Sequence, residues 1–386
     1  MRPFTPDPLP RRDLDWSALV PRIGRAHSAL GRYDEIVRVL VNPQILLAPL
    51  SAREAVLSSR IEGTQAGLQD LFAFEAEASD ATGPLAQDVV EVVNYRRAME
   101  HSVAELAQRP LSLNLLKRAH AILLDSVRGR DKSRGNFRRN EVFIAPPGTP
   151  VDRAIYVPPA WTELDRLLDN FEKYLHAEEP DPIVQAGIAH AQFELIHPFY
   201  DGNGRLGRML VPLHLFSRNV ISSPSFYISA HLEDNRDEYY ARLARLSTAG
   251  EWQGWVEFFL DAVASQAEAD TRRVRQILAL YERLKGLLAG RLRTHFALRT
   301  LDPLFMAPWF STPQYVQASG MPRASVARVL DELVASGVLT LVREGRGRRV
   351  SIYAFPELMA IVSTETSGPD GNPPLAPLLT VSETIS

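Results

Sequence analysis

The chain has 386 residues, 45% hydrophobic and 23% charged, with a net charge of −3, the composition of an ordinary globular protein of about two to three domains. The charge balance excludes chain-wide attraction to nucleic acid or acidic membrane, though it leaves local basic patches open. With no cysteine, a disulfide framework, a thiolate zinc site and a cysteine nucleophile are all excluded.

The opening MRPFTPDPLPRR lacks an apolar leader, and no stretch approaches the roughly 18 apolar residues of a membrane span. The expectation is a cytoplasmic protein with no membrane partner. Four prolines keep residues 1–13 extended. Helical periodicity starts near Trp16. It continues through Pro43–Phe74, with a break after Glu62 at Gly63, Thr64 and Gly67. A polar linker at Ser79–Gly83 precedes helices at Val89–Ala107 and Ser112–Ser126, the second with Ser112 as N-cap. Strand character at Glu141–Ala145 and Ala154–Val157 reads as a small hairpin with a long loop. The neighbouring Arg128–Arg139 stretch is basic and reads as a solvated loop. Helices follow at Trp161–His176, Pro182–Ile196, Leu206–Ser217, Glu233–Leu246 and Gln253–Leu288. With no βαβ alternation, the body is mainly α with one hairpin.

Residues 312–355 differ in kind. Helices at Thr312–Ser319 and Ala324–Ala335, then strands at Leu339–Arg343 and Arg348–Phe355, make a winged helix-turn-helix order. Arg343, Arg346, Arg348 and Arg349 in the wing suit phosphate contacts, so DNA or a protein is the expected partner there. The proline-rich end reads as disordered. The expected organisation is an N-terminal helical segment over 1–87, a core over 88–260, a connector over 261–300, the winged helix over 301–356 and a tail over 357–386.

One string carries chemistry: His197-Pro198-Phe199-Tyr200-Asp201-Gly202-Asn203-Gly204-Arg205-Leu206-Gly207-Arg208. Pro198 ends one helix, and Gly202 and Gly204 permit a tight turn with exposed N–H groups at the start of the next. A helix N-terminus behind such a turn is an anion site. Arg205 and Arg208, three apart, share a face and can clamp one polyphosphate. Asp201 is a hard oxygen ligand suited to Mg²⁺ bridging phosphates. Asn203 adds neutral hydrogen bonds. His197 alone has an unperturbed pKa near neutrality, making it the candidate general base. The embedded G-x-G-x-x-G fails as a dinucleotide fingerprint, because the preceding run is helical and no acid lies about 20 residues on. Kinase strings and a Walker A motif are absent, and without H-E-x-x-H the nearby His190 does not indicate zinc.

The full string resembles the Fic family signature HPFx(D/E)GNGRxGR at every fixed position, over roughly Asp88–Leu260. The resemblance implies protein AMPylation: transfer of AMP from Mg-ATP to a Ser, Thr or Tyr hydroxyl of a target protein, releasing pyrophosphate. By motif position, His197 is the base and Asp201 holds Mg²⁺. Asn203 and Arg205 bind the α and β phosphates with backbone N–H groups from Gly202 to Gly207, Leu206 included. Arg208 pairs with the γ-phosphate. Asn235 and Tyr240 fall where the family contacts the nucleoside. The hairpin 141–157 corresponds to the flap that holds a target chain by strand pairing. Ser58-Ser59-Arg60-Ile61-Glu62-Gly63 matches the family's inhibitory pattern (S/T)xxxE(G/N); Ser58 and Glu62 share a helical face, from which Glu62 would take Arg208 in a two-pronged ion pair. Self-association as a homodimer is left open. The alternatives are a winged-helix DNA-binding regulator that uses the core as a nucleotide sensor, and transfer from UTP or GTP.

Overall fold

The computed structural model describes residues 3–40, 42–77, 84–125, 132–146, 148–289, 294–346, 349–363 and 380–383. The expected linker at Ser79–Gly83, part of the basic stretch Arg128–Arg139, Arg348 in the wing and most of the tail lie outside these residues.

The helices run α1 (Trp16–Val39), α2 (Pro43–Ile61), α3 (Leu68–Glu77), α4 (Pro84–Leu106), α5 (Leu113–Leu123), α6 (Leu164–His176), α7 (Pro182–Ile196), α8 (Asn203–Ser217), α9 (Ser229–Asp234), α10 (Arg236–Ala249), α11 (Trp252–Ala289), α12 (Thr294–Met306), α13 (Thr312–Ser319), α14 (Arg323–Ala335) and α15 (Pro356–Ser363). The strands are β1 (Val142–Ala145), β2 (Trp309–Ser311), β3 (Thr340–Arg343), β4 (Ile352–Ala354) and β5 (Thr380–Glu383). The mainly α expectation holds. No helix among the described residues is long and apolar enough to cross a membrane.

α7 sits at the centre. Asp181 caps it by accepting from the Ile183 and Val184 N–H groups, both at 2.9 Å, and Pro182 takes the first helical position. Almost every α7 side chain is buried, as expected of a helix apolar all round. α8, α6 and α11 pack against α7, and α1 lies along α11. α2 is wedged between α4, α9 and α12. Its buried Glu54 accepts from Tyr95 on α4 at 3.0 Å and from the Ser229 hydroxyl on α9 at 2.6 Å. That satisfies a carboxylate that would otherwise be costly to bury.

Several boundaries move. The domain limits expected at 87/88, 260/261 and 300/301 fall inside α4, α11 and α12, because helix continuity does not depend on the composition shifts that suggested them. The expected hairpin has one regular arm. Ile144 bridges Tyr156, while a 3₁₀ turn at Val151–Arg153 interrupts the return. β1 instead pairs antiparallel with β5 in the register Val142–Glu383 to Ala145–Thr380. The tail expected to be disordered from 357 therefore contributes β5, and α15 covers its start.

At the C-terminal end, two helices precede a β3–β4 hairpin as expected, and β2 adds a third strand in the order β2-β4-β3. This unit rests on the N-terminal part: α12 packs on α2, β2 on α3, and Gln314 donates to the Glu75 carbonyl.

Candidate active site

His197 is the residue on which α7 stops. Its backbone is left-handed, φ 48° and ψ 60°, uncommon for a side chain with a Cβ. The following Pro198 disfavours helical backbone at this position. The His197 carbonyl accepts from the buried Arg138 guanidinium at 2.9 Å. The imidazole is 6% exposed, and neither ring nitrogen has a hydrogen-bond partner. Burial first, then the Arg138 charge, lowers its pKa to about 4, against opposing pulls from Glu62, the Glu194 carbonyl and Asp201. At neutral pH the ring is uncharged and carries a free lone pair, as a general base requires.

The glycine turn follows. Gly202 caps α8 with φ 75°, a conformation that favours glycine. Its N–H is taken by Asp201 Oδ1 at 2.6 Å, and the Leu206 N–H by the Gly202 carbonyl at 3.0 Å. Helix geometry leaves the first-turn N–H groups of Asn203, Gly204 and Arg205 for an anion. The expected N–H contribution from Gly202, Leu206 and Gly207 is therefore corrected: those groups belong to the turn and the helix ladder. The Asn203 amide is also spent, accepting from the Phe199 N–H at 3.0 Å and donating to its carbonyl at 2.8 Å. Arg205 is 4% exposed and pairs with Glu91 at 3.1 Å and Asp201 at 3.4 Å. Both side chains hold the turn rather than facing the cavity.

Arg208, one turn further along α8, is 1% exposed. It donates to the Ser58 hydroxyl at 3.0 Å, to the Ser58 carbonyl at 2.8 Å and to Glu62 Oε1 at 2.7 Å. Glu62 and Ser58 thus reach Arg208 together, as their spacing requires. The expected two-pronged ion pair is a single-oxygen contact through Nη2, with Ser58 taking Nε and sharing Nη2. A Cβ on Gly204 would collide with Glu62 Oε1, so the carboxylate lies directly over the turn. The end of α2 is held in place by Arg236 at 2.7 Å and the Tyr240 hydroxyl at 3.2 Å, both donating to the Ile61 carbonyl.

A cavity of about 140 Å³ opens here, lined by Glu62, Glu194, His197, Gly204, Arg208 and Tyr240, with Ile144 and Ile155 from the flap. That is small beside the roughly 300–1,000 Å³ of typical ligand sites. Asp201, Asn203, Arg205 and Asn235 are not in its walls. Asn235 sits at the α9–α10 junction, where its amide donates to the His231 carbonyl at 2.8 Å; capping replaces the expected nucleoside contact. Tyr240 lines the cavity. Among the described residues no cluster of three or more His, Cys, Asp or Glu could cage a metal. The Asp201 side chain is 45% exposed and fits Mg²⁺ only as a single carboxylate, with phosphate oxygens and water completing the shell.

Three supporting residues escaped the sequence reading. Arg138 is one. His120 is another: Nδ1 accepts from the Gly135 N–H at 2.9 Å, so Nε2 must carry the proton donated to the Asp201 carbonyl at 3.0 Å. Burial lowers its pKa to about 4, and it stacks on Phe199 at 3.8 Å. The third is Glu194, whose Oε1 is buried without a partner. Burial raises its pKa to about 8 despite Arg208, so the carboxyl is largely protonated at neutral pH.

Residues 20–104 match the Fic/DOC family N-terminal domain and residues 110–215 the Fic/DOC family domain. The first match ends within the last turn of α4. Over 226 residues the chain is 26% identical to the protein adenylyltransferase Fic of Drosophila grimshawi, covering 55% of this chain and 42% of that protein. The Drosophila virilis protein of the same name is 28% identical over 178 residues, 44% of this chain and 32% of that one. The matched region thus spans less than half the length of these relatives. A Fic family protein from Desulfovibrio desulfuricans G20 superposes with a TM-score of 0.55 at 20% identity, covering 91% of this chain and 98% of that one. C. elegans Fic-1 gives 0.53 at 22%, covering 68% and 73%. These two likenesses show a shared fold.

Proposed function

For a chain that carries a Fic/DOC N-terminal domain followed by a Fic/DOC domain, we propose protein AMPylation from ATP, held in check by Glu62. One observation carries the reading: a neutral, unpartnered His197 imidazole and the Arg208 guanidinium line the same cavity as Gly204 of the anion-binding turn.

In this reaction a target hydroxyl enters from the flap side, past Ile144. The His197 ring nitrogen takes its proton as the oxygen attacks the α-phosphorus. A new P–O bond forms to the target, the bond from the α-phosphorus to the bridging oxygen breaks, and pyrophosphate leaves. The first-turn N–H groups of α8 and Arg208 carry phosphate charge. Asp201 would hold Mg²⁺, which neutralises charge on the phosphates. A γ-phosphate on Arg208 needs the place Glu62 occupies, so transfer requires the end of α2 to yield. The names of the relatives support AMP as the transferred group. An extended target chain is expected to pair with β1, and the C-terminal helices and hairpin read as a winged helix that selects a DNA or protein partner.

The test uses ATP labelled at the α or at the γ phosphate, with Mg²⁺ and the Glu62→Gly variant. Covalent label from the α position alone supports AMP transfer. Label from the γ position alone would make the protein a phosphotransferase, and nucleotide binding without covalent label would favour a sensor.

A further inference from the structure

We propose that Arg138 is a positioning residue for this reaction: its buried guanidinium fixes the backbone on which His197 stands and ties both ends of the flap to it. The inference rests on the reading of His197 as the base.

Arg138 lies just ahead of β1 and is 1% exposed. Its side-chain hydrogen bonds go to carbonyls of three segments. From the end of α7 these are His197 at 2.9 Å and Ile196 at 3.4 Å; at the flap entry, Asn140 at 3.2 Å; at the flap exit, Pro159 at 2.6 Å. Its own N–H donates to the Pro198 carbonyl at 2.9 Å. A buried cation placed on the last carbonyls of a helix meets the negative end of the helix dipole. The carbonyl array explains how this charge is accommodated. It also explains how His197 keeps left-handed backbone, which is unfavourable for a residue with a Cβ. Lysine would bring the charge without the planar fork that reaches three segments at once.

The same placement sets a positive charge beside the imidazole. The other charged or titratable groups around the ring are Glu62 from the end of α2, Asp201 from the turn, Glu194 from α7, Arg208 from α8 and Tyr239 and Tyr240 from α10. Burial does most to keep the ring neutral, and the Arg138 charge adds to it against the pull of Glu62 and Asp201.

The experiment places Arg138→Gln and Arg138→Lys in the 386-residue Glu62→Gly chain. It reads ATP affinity, transfer rate, target KM, and the His197 pKa by NMR titration of the ring. For Arg138→Gln we expect ATP affinity within twofold, at least tenfold slower transfer, a raised target KM, and a His197 pKa about one unit higher. Arg138→Lys should keep the His197 pKa and restore part of the rate. Unchanged transfer with an unmoved His197 pKa overturns the proposal, as does a loss of ATP binding as large as the loss of transfer. Should the Gln variant fail to fold, a Lys variant at full rate and unchanged KM also overturns it. If the parent transfers no nucleotide, the AMPylation reading fails, while the NMR titration still decides the hold of Arg138 on His197.

Discussion

Glu62 Oε1 lies 2.7 Å from an Arg208 guanidinium nitrogen, and the same carboxylate covers Gly204 at the mouth of the anion-binding turn. The partners are 146 residues apart, so the contact exists only because α2 is wedged into the core beside α8. It occupies the buried Arg208 guanidinium, the one that faces the cavity among the described residues.

Glu62→Gly should raise ATP-dependent self-labelling at least severalfold. It should also lower stability by about 1–3 kcal/mol, since Arg208 loses a partner while staying buried. Rates and thermal melts of both proteins check this. Equal labelling would remove Glu62 from regulation.

His197→Ala should abolish transfer and leave ATP affinity within a few-fold, because the phosphate-binding groups lie on α8. Calorimetry with ATP alongside the transfer assay separates the two. Residual transfer above one-hundredth of the parent rate would point to another base.

Asp201→Ala should weaken Mg²⁺ activation at least tenfold; the turn keeps its His120 contact, which uses the Asp201 backbone carbonyl, but loses the side-chain contacts to the Gly202 N–H and Arg205. A Mg²⁺ titration of the transfer rate is the check. An unchanged midpoint would place the cation elsewhere.

Acid should destabilise the fold early. His120, His190 and His214 are buried, and burial lowers their pKa values to about 4, 3 and 3. Folded values below the unfolded 6.5 mean stability that is complete above pH 6.5 and lost as pH falls towards 4. Glu194 acts in the opposite direction, with a folded value of about 8, so its cost disappears over the same descent. Burial also raises the carboxyls of Glu54, Glu75, Glu179, Glu233 and Asp270, while His197 joins the three histidines in being lowered far. The large histidine shifts should dominate, and denaturant midpoints should fall between pH 7 and pH 5. His197, with a pKa of about 4, should stay active as a base across that window. A midpoint that holds or rises from pH 7 to 5 would mean these rings are solvated.

Deleting residues 380–386 should raise transfer to an added target or lower its KM. β1 is bridged by Tyr156 on one side and paired with β5 on the other, so an incoming strand must displace β5. Unchanged kinetics would move target docking off β1.

The chemistry of the turn was legible because it is local: His197 to Arg208 are consecutive, and a proline, glycines and a helix start determine their geometry together. Glu62 was legible only through the resemblance, since nothing in SSRIEG says which guanidinium it meets. Arg138 read as one of several solvated bases, and its role appears only when four carbonyls from three segments converge on it. Asn203 and Arg205 have the right chemistry for phosphate, yet burial and the needs of the turn consume their side chains. β2 is three residues long and becomes a strand only through β4, more than forty positions on. No local pattern reports such a pairing, and β5 on β1 is the same case over a longer span.

The most direct test is the intact mass of the purified chain, wild type and Glu62→Gly, after incubation with ATP and Mg²⁺. The variant should gain the mass of one or more AMP groups while the wild type stays largely unmodified and Glu62→Gly with His197→Ala gains nothing. A Glu62→Gly chain that binds ATP yet returns at its starting mass, with and without an added target protein, would contradict the account.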